Sequence, residues 1–158
     1  MLLMSQTWRD IVWCHWPVPA EQLTAILPKG LEPDLFDGYA WVGLVPFTMD
    51  NLVIAKSLGW LSSLFRVRRF GEVNVRTYVK GPDGLSGVWF CTLDADSTLA
   101  VLTARLTFGL SYRRARTRLQ TTTSSVSWRS LRKGDRVRAA LAVSWSEESP
   151  RQAQKNRA

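Results

Sequence analysis

The residues from Gly71 to Val79 constrain this chain more than any other stretch. Side chains alternate between the two faces of a β-strand. One face of this segment carries Glu72, Asn74, Arg76 and Tyr78; the other carries Val73, Val75, Thr77 and Val79. The β-branched face predicts burial against a core. The polar face holds an acid, an amide and a base in register. It is either a solvated sheet surface or the polar wall of a pocket.

The flanking sequence fills in the frame. Residues 8–14 predict a strand, ended by a turn at 15–19 in which Pro17 and Pro19 restrict the backbone. A short helix runs on from Pro19 to Leu27, with Leu23, Ile26 and Leu27 as its apolar stripe and Pro28-Lys29-Gly30 as its stop. Tyr39–Met49 is apolar on both faces and predicts a central, covered strand, where Gly43 and Pro46 permit a bend or bulge. Residues 52–65 read as an apolar loop or short helix, either a lid over a cavity or a packed connection.

Gly81-Pro82-Asp83-Gly84 is a turn, after which residues 87–93 pair back as a hairpin. Asp94–Arg105 predicts a helix capped by Asp94 or Asp96, with Leu99, Leu102 and Ala104 or Leu106 facing inward. Residues 107–112 return to extended structure, and 127–131 and 137–145 flank a turn at 132–135. Residues 147–158 have no apolar side chain larger than alanine and predict a disordered tail, leaving a single domain over 1–146. About seven or eight strands with two or three short helices, mostly joined as hairpins, predict a mainly β (β-rich α+β) antiparallel barrel or cone.

Charge and cysteines narrow the function classes. The net charge of +8 is unevenly spread: residues 1–112 carry −1 and residues 113–158 carry +9. Confinement of the net positive charge to the last third, between Arg113 and Arg138 and in the tail, weighs against nucleic-acid binding, which remains an alternative. Cys14 and Cys91 are far apart, His15 is the only histidine, and no metal-ligand spacing exists, so neither a metal site nor a cofactor is expected. No apolar run approaches the ~20 residues of a membrane-spanning helix, and the first ten residues have no secretory pattern. A soluble, cytoplasmic chain is expected, with no membrane partner.

Several motifs fall in one order along residues 8–112: His15-Trp16-Pro17-Val18-Pro19, Leu27-Pro28-Lys29-Gly30-Leu31, Phe36-Asp37-Gly38-Tyr39-Ala40-Trp41, Val45-Pro46-Phe47-Thr48-Met49, the 72–79 strand, and Gly87-Val88-Trp89-Phe90. Together they resemble the bacterial DUF2071 (YqjF-like) family of uncharacterised proteins, related in fold to acetoacetate decarboxylase. The resemblance implies an antiparallel β-barrel or cone around a cavity, with the 72–79 strand along the cavity wall. It also implies a chain shortened at its C-terminus, leaving a sheet edge unpaired or the cavity open, so that self-association through that edge is an expectation too. Where the family reads Leu-Pro-Tyr, this chain has Leu110-Ser111-Tyr112.

Decarboxylases of this fold form a Schiff base on a lysine activated by a neighbouring cation and an apolar pocket. Lys29, Lys80 and Lys133 fall at turns and Lys155 in the tail; Lys56, in the apolar 52–65 segment, is the best placed, yet has no cationic neighbour in sequence. The expectation is therefore a binder of a small organic acid or carbonyl compound without a Schiff-base lysine. Arg76 would grip a carboxylate, Glu72 would act as base or orient Arg76, and Asn74 would tie the two together. Trp41, Trp89 and Phe90 would line the cavity. The bland alternative makes Glu72 and Arg76 an ion pair on a wet face. Arg105 either completes the site or complements a helix C-terminus. His15 is either a packing residue or a base. Tyr78, Ser111 and Tyr112 show no partner in sequence. A structural module, or a non-functional truncated product with no ligand, is the remaining alternative.

Overall fold

The computed structural model describes residues 5–53, 66, 67, 69–134 and 138–144. In chain order the elements are β1 (Ser5–Arg9), β2 (Cys14–Val18), α1 (Ala20–Thr24), β3 (Glu32–Pro33), β4 (Ala40–Val53), β5 (Arg66–Val67), β6 (Phe70–Lys80), β7 (Ser86–Ala95), α2 (Thr98–Phe108), β8 (Tyr112–Thr121), β9 (Ser125–Arg132) and β10 (Arg138–Ser144). The ten strands form one sheet whose main path runs β1-β4-β6-β7-β8-β9-β10, with β2 and β5 added to β4 and β3 to β6. The sheet curls into a mostly β half-barrel, and the β-rich class expected from sequence holds. The expected lid at 52–65 falls almost wholly, and the tail at 147–158 entirely, outside the described residues. Among the described residues no helix is long and apolar enough to cross a membrane.

β4 and β6 form the centre because β4 is apolar on both faces over most of its length and β6 is β-branched on one, and β6 pairs with β4 on one side and β7 on the other. Alternation sends Val45, Phe47 and Met49 of β4 to one face, where they pack with Phe70 and with Ala100 and Val101 of α2. On the other face Val73 packs against Val126 and Trp128 of β9, with Leu119 of β8 and Leu141 of β10. A Cβ on Gly71 would lie 2.2 Å from Thr117 Oγ1 and 2.8 Å from the Trp128 ring. Glycine there lets β8 and β9 close over β6.

Several expectations are corrected. The strand expected over 8–14 is two strands, because Asp10 adopts a φ of 52° and breaks the run; Pro17 then lies within β2 rather than in a turn. Proline is tolerated there because β2 lies at the sheet margin, bonded only to β4. The helix expected to start at Asp94 starts later. Asp94 belongs to β7, and the cap is Ser97, whose hydroxyl accepts the Ala100 N–H at 3.2 Å. With that shift, Ala100 and Val101 face the core, while Leu99, Leu102 and Leu106 are exposed, Leu106 at 84%. The chain from 113 to 121 is a strand, β8, paired parallel to β7 through α2 rather than as another hairpin. The pairing is regular at Gly43 and Pro46; β4 shifts register further on, against β1 between Asp50 and Val53, and a second shift lies between β6 and β7, where Val75 faces Thr92 and Arg76 faces Phe90, so Cys91 is skipped.

Asp94 gains a different role at the end of β7. It receives Arg132 of β9 at 3.0 Å, with both side chains largely buried, and Arg132 also donates to Thr92 Oγ1 at 2.8 Å. This ion pair fastens the C-terminal hairpin to the central strands.

Candidate functional site

The polar face of β6 is a ladder of Phe70, Glu72, Asn74, Arg76 and Tyr78, and its two ends have different surroundings. Same-face residues along a strand are ~6.7 Å apart, so Glu72 and Arg76 are separated by ~13 Å. At that distance they do not form the ion pair of the alternative reading, Glu72 does not orient Arg76, and Asn74 does not tie the two together. Each instead keeps an unsatisfied buried atom. Glu72 Oε2, Asn74 Oδ1 and Arg76 Nε have no hydrogen-bond partner among the described residues. Such orphaned groups are uncommon in a folded interior.

At the first end, Glu72 is only 2% exposed. Its register neighbours are Phe47 of β4 and Ala95 of β7. Tyr112, at the start of β8, donates its hydroxyl to Glu72 Oε1 at 2.9 Å. Burial, outweighing the lowering effect of hydrogen bonds from Tyr112 and Asn74, leaves the Glu72 carboxyl pushed up to about 7. The Tyr112 phenol is raised in turn, first by burial and then by the carboxylate beside it. A void of about 70 Å³ adjoins the pair, lined by Met49, Phe70 and Ala104 among others. Arg105 does not enter this void. It is exposed near the C-terminus of α2, and its Nε donates to the Tyr112 carbonyl at 2.6 Å, so it braces the residue that reaches Glu72.

At the second end the ladder opens to solvent. Register aligns His15 of β2, Gly43 of β4 and Arg76 of β6 across three strands. A Cβ on Gly43 would sit 2.8 Å from His15 Nε2 and 3.5 Å from Arg76 Cγ, so the missing side chain is what lets the His15 ring lie there. The Arg76 guanidinium carbon lies 4.4 Å from the Trp13 ring centroid and 5.7 Å from that of Tyr78. Arg76 Nη2 donates to the Tyr78 oxygen at 3.3 Å, which leaves the phenol proton free to point at His15 Nε2, 2.8 Å away. Burial, and secondarily the Arg76 charge, lowers the His15 pKa. A neutral ring with its proton on Nδ1 fits both facts.

Beside this cluster lies a cleft of about 610 Å³ lined by His15, Asp34, Leu35, Phe36, Trp41 and Tyr78. Its rim is rigid. Asp37 and Gly38 both take positive φ, 54° and 78°, in a two-residue turn closed by reciprocal Phe36–Tyr39 backbone bonds. The Trp41 indole N–H fixes the Phe36 carbonyl at 3.1 Å, while the Phe36 ring is 73% exposed.

Of the residues singled out from sequence, Arg76, His15 and Trp41 converge on this end, and Glu72 lies at the other. Phe90 shares the face of Arg76, but Trp89 pairs with Thr77 and belongs to the opposite face of the sheet. Trp89 therefore does not line a wall with Glu72, Asn74 and Arg76. Tyr78 and Tyr112, which show no partner in sequence, have the histidine and the acid as partners. The alternation that singled out Arg76 contains Tyr78 as well. No sequence signal joins Tyr112 to Glu72. Among the described residues no His, Cys, Asp or Glu cluster of three or more could hold a metal.

Comparison with known proteins places this geometry. The chain is 37% identical over 154 residues to "Uncharacterized protein YqjF" of Bacillus subtilis, covering 98% of this chain and 62% of that one; it thus spans less than two thirds of that relative. Among solved structures it resembles the acetoacetate decarboxylase of Legionella pneumophila, with a TM-score of 0.67 at 14% identity over 92% of this chain and 50% of that one. It also resembles the enduracididine biosynthesis enzyme MppR complexed with pyruvate, with a TM-score of 0.61 at 16% identity over 93% of this chain and 58% of that one. At these identities the two structures establish a shared fold and no more. The DUF2071 profile, described as an uncharacterized conserved protein, matches residues 5–158, and the chain belongs to this family.

Proposed function

We propose that this domain binds a small organic acid or carbonyl compound at the open end of the β6 ladder, with Arg76 as the anion anchor. The observation that carries the reading is the Arg76 side chain itself. It is held between the Trp13 and Tyr78 rings, and its Nε is buried without a partner. A carboxylate can accept from a guanidinium edge through two parallel hydrogen bonds. Tyr78 and neutral His15 provide further polar contacts, and Trp41, Leu35 and Phe36 an apolar wall. A few convergent polar groups in a largely apolar concavity are what small-molecule sites share. MppR, a fold neighbour complexed with pyruvate, is consistent with such a ligand.

The reading needs no Schiff-base lysine. Lys29, Lys80 and Lys133 are exposed, and Lys80 faces Asp34 at 3.3 Å. Water contact removes the desolvation that would activate them. Lys56 and Lys155 lie outside the described residues.

Thermal unfolding with a panel of small carboxylates and 2-oxo acids tests the proposal. One class should raise Tm, because a ligand at ~100 times its Kd stabilises by ~2.7 kcal/mol. Arg76→Ala should abolish the rise. A wild-type chain whose Tm no compound moves would remove the reading in favour of a structural module.

A further inference from the structure

We propose a second site: the outer face of β8, β9 and β10 binds a compact, multiply charged phosphate anion, with diphosphate as its smallest form. The face is fixed by alternation. Ala115 and Leu119 of β8 turn inward with Trp128 of β9 and Leu141 of β10. Arg114, Arg116 and Arg118 must then turn outward. Register completes the patch, with Arg118 opposite Arg129, and Arg116 opposite Leu131, which in turn faces Arg138. Five guanidinium groups thus share one face, ~13 Å long on β8 and ~10 Å across the three strands.

The described residues do not balance this charge with acids. Like charges directly opposite on a sheet are destabilising. Among the described residues lining the face, the only acid is Asp96. It is already engaged by Arg114 and by the Thr117 N–H at 3.1 Å. Asp94, the nearest other acid on β7, is held by Arg132. Among the described residues, Arg116, Arg118, Arg129 and Arg138 have no acid beside them, and like charges kept together in this way are stabilised by an anion from outside.

The shape favours a compact ligand. Two adjoining clefts of about 590 and 600 Å³ share Arg114, Arg116, Leu131 and Arg138 as lining, so the charge converges on one spot. Volumes of this size suit small molecules. The guanidinium fork matches phosphate oxygens two at a time, and neighbouring arginines here are spaced to hold the linked phosphates of one ligand. Arg114 is pre-oriented by Asp96 and by the carbonyls of Ala95 and Ala115. Among the described residues this face carries no aromatic side chain for base stacking, and its one large apolar residue is Leu131. Those absences argue against a single-stranded nucleic acid and against a lipid surface.

Calorimetric titration of the full chain with inorganic pyrophosphate tests the site. Pyrophosphate should bind the wild type, and more tightly than monophosphate. Arg116→Ala/Arg138→Ala should weaken binding by at least ~10-fold, since a hydrogen bond to a charged group contributes that much or more. Arg116→Gln/Arg138→Gln, which keeps most of both side chains, guards against a folding effect and should weaken it similarly. Arg9→Ala removes one positive charge from β1, outside this face, and should leave binding unchanged. Absence of pyrophosphate binding overturns the proposal. So does equal weakening by Arg9→Ala, which would mean bulk charge alone. An oligonucleotide of about 20 residues that out-competes pyrophosphate with a steep salt dependence would overturn it in favour of a nucleic-acid track.

Discussion

Arg76 and Arg118 stand on strands of one sheet, and their surroundings differ in nearly every respect. Arg76 is half-buried beside two aromatic rings, with a phenol on one nitrogen and another nitrogen unpaired. Arg118 is exposed and faces another arginine across the strand pair. The first arrangement restricts rotamers and removes water, so it can discriminate one anion geometry from another. The second leaves the side chains hydrated, so attraction there grows with ligand charge and falls with salt. One residue type thus gives a shape-selective site and a charge-selective site. What separates them is whether the neighbouring strand positions carry rings and a glycine gap or further arginines.

A paired arginine gives the reference for both. Asp94→Ala would strand Arg132, which is 13% exposed, and should cost ~3–5 kcal/mol in urea unfolding. A loss below ~1 kcal/mol would show the pair to be as dispensable as a surface ion pair.

The buried end of the ladder is the next largest effect. The Glu72 carboxyl lies at about 7 in the folded chain against an ordinary 4.5, so the folded state favours its protonated form. That contribution is complete below about pH 4.5 and is lost as pH rises through about 7. Stability should therefore fall across this window by an amount on the order of 3 kcal/mol, and Glu72→Gln should flatten the curve. An unchanged pH profile in the variant would place the titration elsewhere.

Gly43→Ala aims at the Arg76 environment alone. The new methyl would press on His15, with an expected cost of ~1–3 kcal/mol and loss of the carboxylate-induced rise in Tm. Pyrophosphate binding should be untouched. Loss of both responses in this variant would mean that the two arginine regions are not independent. The smallest effect concerns the exposed face. Arg118→Ala relieves a like-charge pair and should raise stability by ~0.2–1 kcal/mol at low salt, with the gain shrinking as salt is added.

Much of this was legible in the sequence. The alternation from Glu72 to Val79 assigned both faces of β6 correctly, and the apolar run at Tyr39–Met49 marked β4 as central. Turn residues located the hairpin at Gly81–Gly84 and, near Lys133-Gly134, the link between β9 and β10. Other features were not legible. The separation of Glu72 from Arg76 follows from strand rise, but Tyr112 of β8 on Glu72 and Trp13, between β1 and β2, on Arg76 come from distant parts of the chain. The helix after β7 was placed early because Asp94 and Asp96 resemble caps, whereas both acids are engaged by arginines that follow in the chain. Trp89 was assigned to the wrong face because the skipped residue Cys91 shifts the register between β6 and β7. The strand through Arg113–Thr121 was not read from the sequence because it is basic on one face and, on the other, offers only Leu119 as a large apolar residue among Arg113, Ala115, Thr117 and Thr121.

The sequence by itself determined local periodicity, and with it which side chains share a face of each strand. It also determined the family, since ordered motifs survive as text. Only the tertiary structure decided which faces meet: Tyr112 on Glu72, Tyr78 on His15, and the arginines of β8, β9 and β10 on one surface. The physical reason is that alternation is a property of adjacent residues. Register between strands tens of residues apart is set by how closely they can pack, as at Gly43 and Gly71, where the missing side chains admit a neighbour.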